Sequence, residues 1–227
     1  MENYGSLQSE LENKTINNDL KFVEDNQFFI VYGWMRKCLN MTKIEREIYA
    51  IIYKHTSDQG YFNGSLRYLT EWSESAERTV IYSLQSLVDK KYISKETDYL
   101  NGRKNVKYRI CEVEGVPQTK TSCIKKENRN INNDNYVLLQ GWMINELGLK
   151  DIEVTVYAVI FGASHNEGQY YDGNIDYISE WLSVDNDTVL RTIKSLIEKG
   201  LIGVNSCYDS RGKHNIYYVK NILGRKQ

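Results

Sequence analysis

The chain has 227 residues, of which 41% are hydrophobic and 26% are charged, and its formal net charge is −1. These values are typical of a soluble globular protein that is long enough for two small cores. The four cysteines form no C-x-x-C pair and the three histidines are scattered, so we expect no disulfide framework, metal or other cofactor. No apolar run reaches the ~18 residues of a membrane span, which predicts a cytoplasmic protein without a membrane partner.

One segment of the sequence occurs twice. YGWMRKCLNMTKIEREIYAII at residues 32–52 returns as QGWMINELGLKDIEVTVYAVI at residues 140–160, an offset of 108 residues. Farther along, LRYLTEW returns as IDYISEW at an offset of 109. Solenoid units are shorter, roughly 20–50 residues, so the period predicts a duplicated small domain. We place a polar, acidic and mobile tail at 1–26, the first repeat at 27–110, a polar linker at 111–134, the second repeat at 135–219 and a basic tail at 220–227.

The first half of each repeat has a helical pattern. An apolar segment, FFIVYGWM or YVLLQGWM, leads into a short helix. Thr42-x-x-Glu45 is a capping box, which predicts the start of a second helix. Apolar side chains at i, i+4, i+7 and i+8 then mark a buried helical stripe in both copies. A short aromatic stretch, Tyr61-Phe62 or Tyr170-Tyr171, follows and predicts a single edge strand.

The second half of each repeat predicts two helices and a hairpin. Gly64-Ser65 caps the helix LRYLTEWS, and a Ser-rich turn separates it from ERTVIYSLQSLVDKK, which is typical of a helix-turn-helix. YISKETDYL and KNVKYRI, joined by Asn101-Gly102, predict a β-hairpin. The second copy keeps this order, with its own turn at Arg211-Gly212. We therefore predict a mainly α protein with small β-hairpins (α+β), built from two tandem winged-helix domains.

These motifs resemble a known group of proteins. The patterns VYGWM, ExxIYAIIY, FxGSLxYLxEW and RTVxxxLxxLVxKxYI are similar to the winged-helix domain of replication-initiation and replisome-organiser proteins. Such proteins occur in phages, plasmids and conjugative elements of Gram-positive bacteria, and their architecture is related to the DnaD N-terminal domain. The resemblance covers nearly all of both repeats and implies a DNA-binding fold. It does not fix the role, because such modules serve initiators and transcription regulators alike.

The fourth predicted helix carries the candidate DNA-reading residues. With Val80, Leu84 and Leu87 facing inward, a polar face remains that contains an arginine suited to guanine and a glutamine suited to adenine. The predicted wing adds positive charge, and Arg36, Lys37, Lys43 and Arg46 add more nearby in the sequence. The predicted DNA-binding residues are Ser75, Arg78, Thr79, Tyr82, Gln85, Ser86, Arg103, Lys104 and Lys107.

The two repeats differ in charge. The first has 14 Lys and Arg against 9 Asp and Glu, a net +5, whereas the second has 6 against 11, a net −5. Where the resemblance implies lysine or serine ahead of Arg-Thr-Val, the first repeat has Glu74 and Glu77. The second repeat has Asp185 and Asp187 there, with no arginine before Thr188. We therefore expect weak DNA binding by the second repeat, or a protein partner on its acidic surface. Its secondary DNA-binding candidates are Arg191, Lys194, Arg211 and Lys213.

No sequence motif indicates catalysis. The chain has no P-loop, no G-x-G-x-x-G after a strand, no G-x-S-x-G and no H-E-x-x-H, so we expect no enzyme activity. The leading hypothesis is a sequence-specific double-stranded DNA-binding protein of a mobile genetic element, active in replication initiation or transcriptional regulation. The alternative is a non-catalytic interaction factor or inhibitor whose acidic second repeat docks on a nucleic-acid-processing protein. Two further arrangements stay open, a pseudo-dimer of the two repeats and a homodimer.

Overall fold

The computed structural model describes residues 23–100, 102–113, 136–164, 169–210 and 212–220, without the side chains of Leu100 and Arg103. The first repeat forms one strand, four helices and a hairpin. Its elements are β1 (Phe28–Tyr32), α1 (Gly33–Lys37), α2 (Lys43–Gln59), α3 (Leu66–Ser73), α4 (Glu77–Asp89), β2 (Ile93–Leu100) and β3 (Arg103–Ile110). Most of the predicted tails and linker, and the predicted turn residues Asn101 and Arg211, lie outside the described residues.

The second repeat forms the same elements in the same order. They are β4 (Tyr136–Gln140), α5 (Gly141–Asn145), α6 (Ile152–Ser164), α7 (Ile175–Leu182), α8 (Asn186–Glu198), β5 (Ile202–Asp209) and β6 (Gly212–Val219). The protein is therefore α+β, with helices and small antiparallel hairpins in the order of a winged helix. In the described part of the chain, no helix is long and apolar enough to cross a bilayer.

Local sequence sets the ends of the helices. The predicted capping box is confirmed, because the Thr42 hydroxyl accepts the Glu45 N–H at 3.3 Å while the Thr42 N–H donates to the Glu45 carboxylate at 2.7 Å. Ser65 caps α3 by accepting the Tyr68 N–H at 3.1 Å. Helix α2 ends at Gly60, whose φ of 86° is a left-handed conformation that glycine adopts without a Cβ clash. These short-range bonds explain why the sequence pattern located the helices well.

Each hairpin carries a third strand that is reduced to one residue pair. Strands β2 and β3 pair antiparallel along their whole length, as do β5 and β6, so the predicted hairpins are confirmed. The predicted aromatic edge strand is a single bridge, Phe62 with Tyr108 in the first repeat and Tyr171 with Tyr217 in the second. This bridge anchors the hairpin to the loop before the helix-turn-helix.

The apolar segment that begins each repeat forms a sheet with its counterpart in the other repeat. Strand β1 pairs antiparallel with β4, from Phe28 opposite Gln140 to Tyr32 opposite Tyr136. Both strands alternate between buried and less buried positions, so one face of this sheet is apolar. The sequence did not predict the pairing, because strand partners distant in the chain leave no local periodicity.

Both repeats contribute to one core. The buried side chains of the first and second repeats form a single continuous hydrophobic cluster, whereas the composition led us to expect two small cores. Val23, Glu24 and Asp25, which the sequence analysis places in the N-terminal tail, contact the second repeat. Val23 is buried, and its carbonyl accepts a hydrogen bond from Asn145 at 2.7 Å. The Glu24 carbonyl lies so close to Gly141 that a Cβ there would meet it at 2.0 Å, which explains the glycine.

Candidate nucleic-acid interface

The helix-turn-helix of the first repeat consists of α3, α4 and the short turn between them. Glu74 occupies this turn with a φ of 46°, and Ser183 occupies the matching turn between α7 and α8 with a φ of 58°. Val80 and Leu87 of α4 are buried against the core, which fixes the face that α4 presents outward. That face exposes Arg78, Tyr82 and Gln85, as the sequence predicted.

Two side-chain pairs run along the exposed face of α4. Arg78 donates from Nε to the Tyr82 hydroxyl at 3.0 Å, and its guanidinium lies over the Tyr82 ring at 5.3 Å. One turn later, Gln85 donates to the Asp89 carboxylate at 2.8 Å. Exposed pairs of this i,i+4 kind stabilise a helix by only about 0.2–0.5 kcal/mol. A nucleic-acid partner can therefore replace them at small cost.

Helix α4 starts just after Ser75, one of the predicted DNA-binding residues. Ala76 occupies the N-cap, and no side chain caps the helix. The Ser75 hydroxyl donates to the Ser73 carbonyl at 2.9 Å, so its side chain turns back into the helix-turn-helix turn. Thr79 is half-buried. The N-terminus of α4 therefore offers backbone N–H groups rather than serine hydroxyls to a ligand.

Ser86 was predicted on the outer face, but the structure turns it toward α2. Its hydroxyl hydrogen-bonds the Glu45 carboxylate, which also accepts two bonds of 2.9 Å from Lys90 Nζ. The second repeat preserves this arrangement, since the Ser195 hydroxyl and Lys199 Nζ both donate to Glu153. Glu45 therefore links the start of α2 to the end of α4, and Glu153 links the start of α6 to the end of α8. Ser86 therefore holds α4 against α2 and is not one of the outward-facing residues of α4.

The Glu45 contacts make a pH-dependent contribution to stability. Burial alone would raise the pKa of the Glu45 carboxyl, but hydrogen bonds from Ser86, Lys90 and Thr42 hold it below its ordinary value. Because the folded pKa is lowered, the contribution is present above the ordinary glutamate pKa and is lost as the pH falls through the folded pKa. We expect Glu45→Gln to cost about 1–3 kcal/mol at pH 7 and clearly less in acid. Urea unfolding at both pH values measures this.

Glu96→Gln is the matched control for that measurement. Glu96 pairs with Arg109 at 2.9 Å on the exposed hairpin, where an ion pair contributes about 0–1 kcal/mol. A Glu45→Gln loss that stays constant between pH 7 and acid would contradict the assignment.

The wing places only part of its predicted cationic set outward. Lys104 is exposed and makes no ion pair with any residue that the structure describes, whereas the side chain of Arg103 lies outside the described atoms. Lys107 is half-buried, pairs with Asp98 at 3.0 Å and lies over the Tyr61 ring at 5.1 Å. Lys104 is therefore the described wing residue best placed to contact a phosphate.

Three of the four cations predicted to reinforce this surface contact the second repeat instead. Arg36 pairs with Glu180 at 2.7 Å, and Lys43 pairs with Asp151 at 2.9 Å. Arg46 is only 3% exposed, and its guanidinium donates to the Trp181 carbonyl. Sequence reasoning missed this role, because it assigned every cation near the helix-turn-helix to the surface.

The second helix-turn-helix has a different start. Asp185 caps α8 by accepting the Thr188 N–H at 2.7 Å and the Thr188 hydroxyl at 3.0 Å. The bond from the Thr188 N–H is the main reason that the pKa of the Asp185 carboxyl lies below its ordinary value. Counting from the repeat offset of 109, Asp185 replaces Ala76 and Asp187 replaces Arg78. An anion therefore already occupies the helix N-terminus where a phosphate would bind.

The secondary candidates that the structure describes are exposed and make local contacts. Arg191 donates to the Thr188 hydroxyl at 3.0 Å, and Lys194, which is 77% exposed, lies 3.8 Å from Glu198. Lys213 lies over the Tyr208 ring at 5.8 Å, and Arg211 falls outside the described residues. These cations are weakly held, so they remain available to a phosphate near α8.

One cluster in the second wing escaped the sequence analysis. Asp172, Asp209 and His214 offer ligand atoms within 4.8 Å of one another, and His214 Nε2 lies 2.9 Å from Asp172. Asp172 lies 37 residues before Asp209, so no spacing rule could have found the cluster. The contact between His214 and Asp172 joins the hairpin to the preceding loop and accounts for this cluster, and we assign the cluster no ligand.

Comparison with known proteins agrees with this geometry. A protein-family model described as a helix-turn-helix domain matches residues 147–202, which span α6 to the start of β5. The chain therefore contains a helix-turn-helix domain, a type that commonly binds DNA. No curated protein matches the chain. The matched segment lies in the acidic repeat, and the first repeat shares its element order.

Proposed function

We propose that this chain is a sequence-specific duplex-DNA-binding protein that reads DNA through α4 and the β2–β3 hairpin of the first repeat. The observation that carries this proposal is the exposed face of α4, where Arg78, Tyr82 and Gln85 project from the second helix of a helix-turn-helix without an N-terminal side-chain cap. The basic character of the repeat supports it, with a net charge of +5.

The chemistry of this face suits the major groove. An arginine can donate two hydrogen bonds to guanine, and a glutamine can bond adenine through its amide. Lys104 on the hairpin is suited to a phosphate, which positions the protein without reading sequence. In this proposal Arg78 gives up its hydrogen bond to Tyr82, and Gln85 gives up its hydrogen bond to Asp89. Both side chains then hydrogen-bond to base edges.

The broader proposal concerns architecture and biological role. We propose two tandem winged-helix domains and a non-catalytic role in replication initiation or transcriptional regulation of a mobile genetic element. The repeated element order and the sequence resemblance support this proposal. The absence of nucleotide-binding and hydrolase motifs from the sequence favours a binding function over catalysis.

Single substitutions in the intact chain test the proposed interface. On a duplex selected for tight binding, we expect Arg78→Ala and Gln85→Ala each to weaken binding by about 1–3 kcal/mol and to relax sequence preference. We expect Lys104→Ala to weaken binding to all duplexes alike and to reduce its salt dependence. Fluorescence anisotropy over a salt series measures both effects.

Lys220→Ala provides the matched control. Lys220 is exposed just after β6, at the opposite end of the second hairpin from its turn. Lys220→Ala removes one positive charge, as Arg78→Ala and Lys104→Ala do. Binding that responds equally to Lys220→Ala and Arg78→Ala would reduce the interaction to nonspecific charge. Unchanged binding in all three interface variants would contradict the proposal.

A second candidate function rests on the acidic start of α8. Asp185 and Asp187 make this surface repel phosphates and suit it to a basic protein surface. The second repeat would then dock on a nucleic-acid-processing protein. This candidate is favoured if the natively folded chain binds no duplex even at low salt.

A further inference from the structure

The two repeats are related by an approximate two-fold axis. In the β1–β4 sheet, Ile30 lies opposite Leu138, and these residues are equivalent positions of the two repeats, 108 residues apart. When two copies of one strand pair antiparallel about equivalent residues, a two-fold axis passes between those residues. The sheet therefore has the geometry of a symmetric dimer interface within a single chain.

Two side-chain contacts mark the same axis. Lys43 Nζ lies 2.9 Å from the Asp151 carboxylate, and the Thr155 hydroxyl lies 3.4 Å from the Glu47 carboxylate. Both pairs again join equivalent positions, 108 residues apart. Equivalent residues contact each other only beside the axis, so α2 and α6 meet there.

The second helix-turn-helix lies against the first repeat beside this axis. Arg36 of the first repeat pairs at 2.7 Å with Glu180 near the end of α7, and the two-fold relation places the matching end of α3 against the second repeat. In the second repeat, Trp181 at the end of α7 receives the hydrogen bond from Arg46 of the first repeat. Helices α4 and α8 thus begin on opposite sides of one axis.

A two-fold relation has a direct consequence for DNA. Helix-turn-helix dimers read inverted half-sites, because the symmetry of the duplex site mirrors that of the protein. Tandem domains on an independent linker would accept direct repeats as well. The two-fold axis in this chain fixes the relative orientation of the two domains, so the chain would accept only inverted half-sites.

The two halves present different chemistry at matched positions. Arg78 corresponds to Asp187, Tyr82 to Arg191 and Gln85 to Lys194. An aspartate can accept a hydrogen bond from cytosine but repels phosphate, whereas the arginine of α4 suits guanine. The two half-sites therefore differ in sequence and in strength.

We infer that the intact chain binds one duplex at two inverted, unequal half-sites, with α4 on the stronger half and α8 on the weaker. This inference rests on the proposed DNA-binding function. The weaker half depends on Arg191 and Lys194, which are exposed on α8. Its contribution is orientation-dependent, since only an inverted second half-site meets α8 in the correct direction.

The experiment selects binding sites from duplexes randomised over about three helical turns, with the intact chain as bait. We expect two different motifs in inverted orientation at a fixed spacing. Reversing the weaker motif, or shifting it by about 5 base pairs, should reduce affinity about tenfold, to that of the stronger motif alone. The double variant Arg191→Ala with Lys194→Ala should bind these duplexes equally.

The outcomes separate this inference from the proposed function. The inference would be overturned if selection yields a single motif whose affinity does not depend on the flanking sequence, or two motifs in direct orientation. Either result would leave DNA binding by α4 intact. No selected duplex at all would overturn the proposed function itself. Equal losses on every duplex in the Arg191→Ala, Lys194→Ala variant would also count against unequal half-sites, because they would indicate nonspecific charge.

Discussion

Replacing Glu47 by lysine is expected to lower the free energy of unfolding by about 3–5 kcal/mol. Glu47 is 5% exposed, and its carboxylate lies 3.2 Å from Lys43 Nζ and accepts a bond from Thr155. The neighbouring Arg46 is also buried. A lysine here would leave three cations in a buried site with no anion except the exposed Asp151. Urea unfolding of the intact chain at pH 7 measures the loss.

Glu47→Gln separates charge from shape at this site. Burial raises the pKa of the Glu47 carboxyl, while Lys43 and Arg46 act in the opposite direction. Because the folded pKa is raised, this group favours folding below its ordinary pKa, and that contribution is lost as the pH rises through the folded pKa. We expect Glu47→Gln to cost far less than Glu47→Lys and to flatten this part of the pH dependence.

Glu198→Lys is the control, since Glu198 is exposed and its charge reversal should change stability by less than about 0.5 kcal/mol. Equal losses for Glu198→Lys and Glu47→Lys would mean that net charge, rather than the buried cluster, determines stability.

The repeats also differ in charge within this cluster. Two copies of the first repeat paired about this axis would place Lys43 against Lys43 and Glu47 against Glu47. Within one chain, Lys43 instead meets Asp151, and Glu47 meets Thr155. Like charges at a shared axis disfavour association, so this divergence favours pairing of a first repeat with a second repeat. The pseudo-dimer therefore has a physical advantage over a homodimer of first repeats.

Local features of the fold were predictable from sequence. The capping box at Thr42 and Glu45, the helix-turn-helix and both hairpins depend on residues that are close in the chain. Caps, turns and periodicity report such short-range interactions directly. The outward positions of Arg78 and Gln85 followed from the buried stripe of α4 by helical geometry.

Contacts between residues distant in the chain could not be predicted in the same way. Ser86 is polar and adjoins the outer face, but its partner Glu45 lies 41 residues earlier. Arg46 was assigned to a basic surface, although it is buried against Trp181. Aligning the repeats offers a signal for such contacts, because Lys43 aligns with Asp151 and Glu47 with Thr155. Unlike groups at equivalent positions do not identify a contact by themselves, because Arg78 and Asp187 are also unlike and lie on separate exposed helix faces.

Truncating Phe29 to alanine is expected to lower the free energy of unfolding by about 3–5 kcal/mol. Phe29 is 2% exposed in β1, pairs with Leu139 of β4 and meets the Trp72 ring edge-on, with ring centroids 4.8 Å apart. Its side chain therefore joins the shared sheet to α3. The cavity left by the ring removes contacts from both of these elements.

Phe29→Ala also tests whether the repeats unfold together. Since the buried residues form one cluster, we expect a single cooperative transition in which tryptophan fluorescence and far-ultraviolet circular dichroism coincide, shifted as a whole by the substitution. Ile81→Ala is the control, because Ile81 is 46% exposed on α4 and its truncation should cost less than about 1 kcal/mol. Two transitions, with only the one from the first repeat displaced, would show that the shared sheet does not couple the repeats and that the axis is too weak to hold α4 and α8 in a fixed relation on DNA.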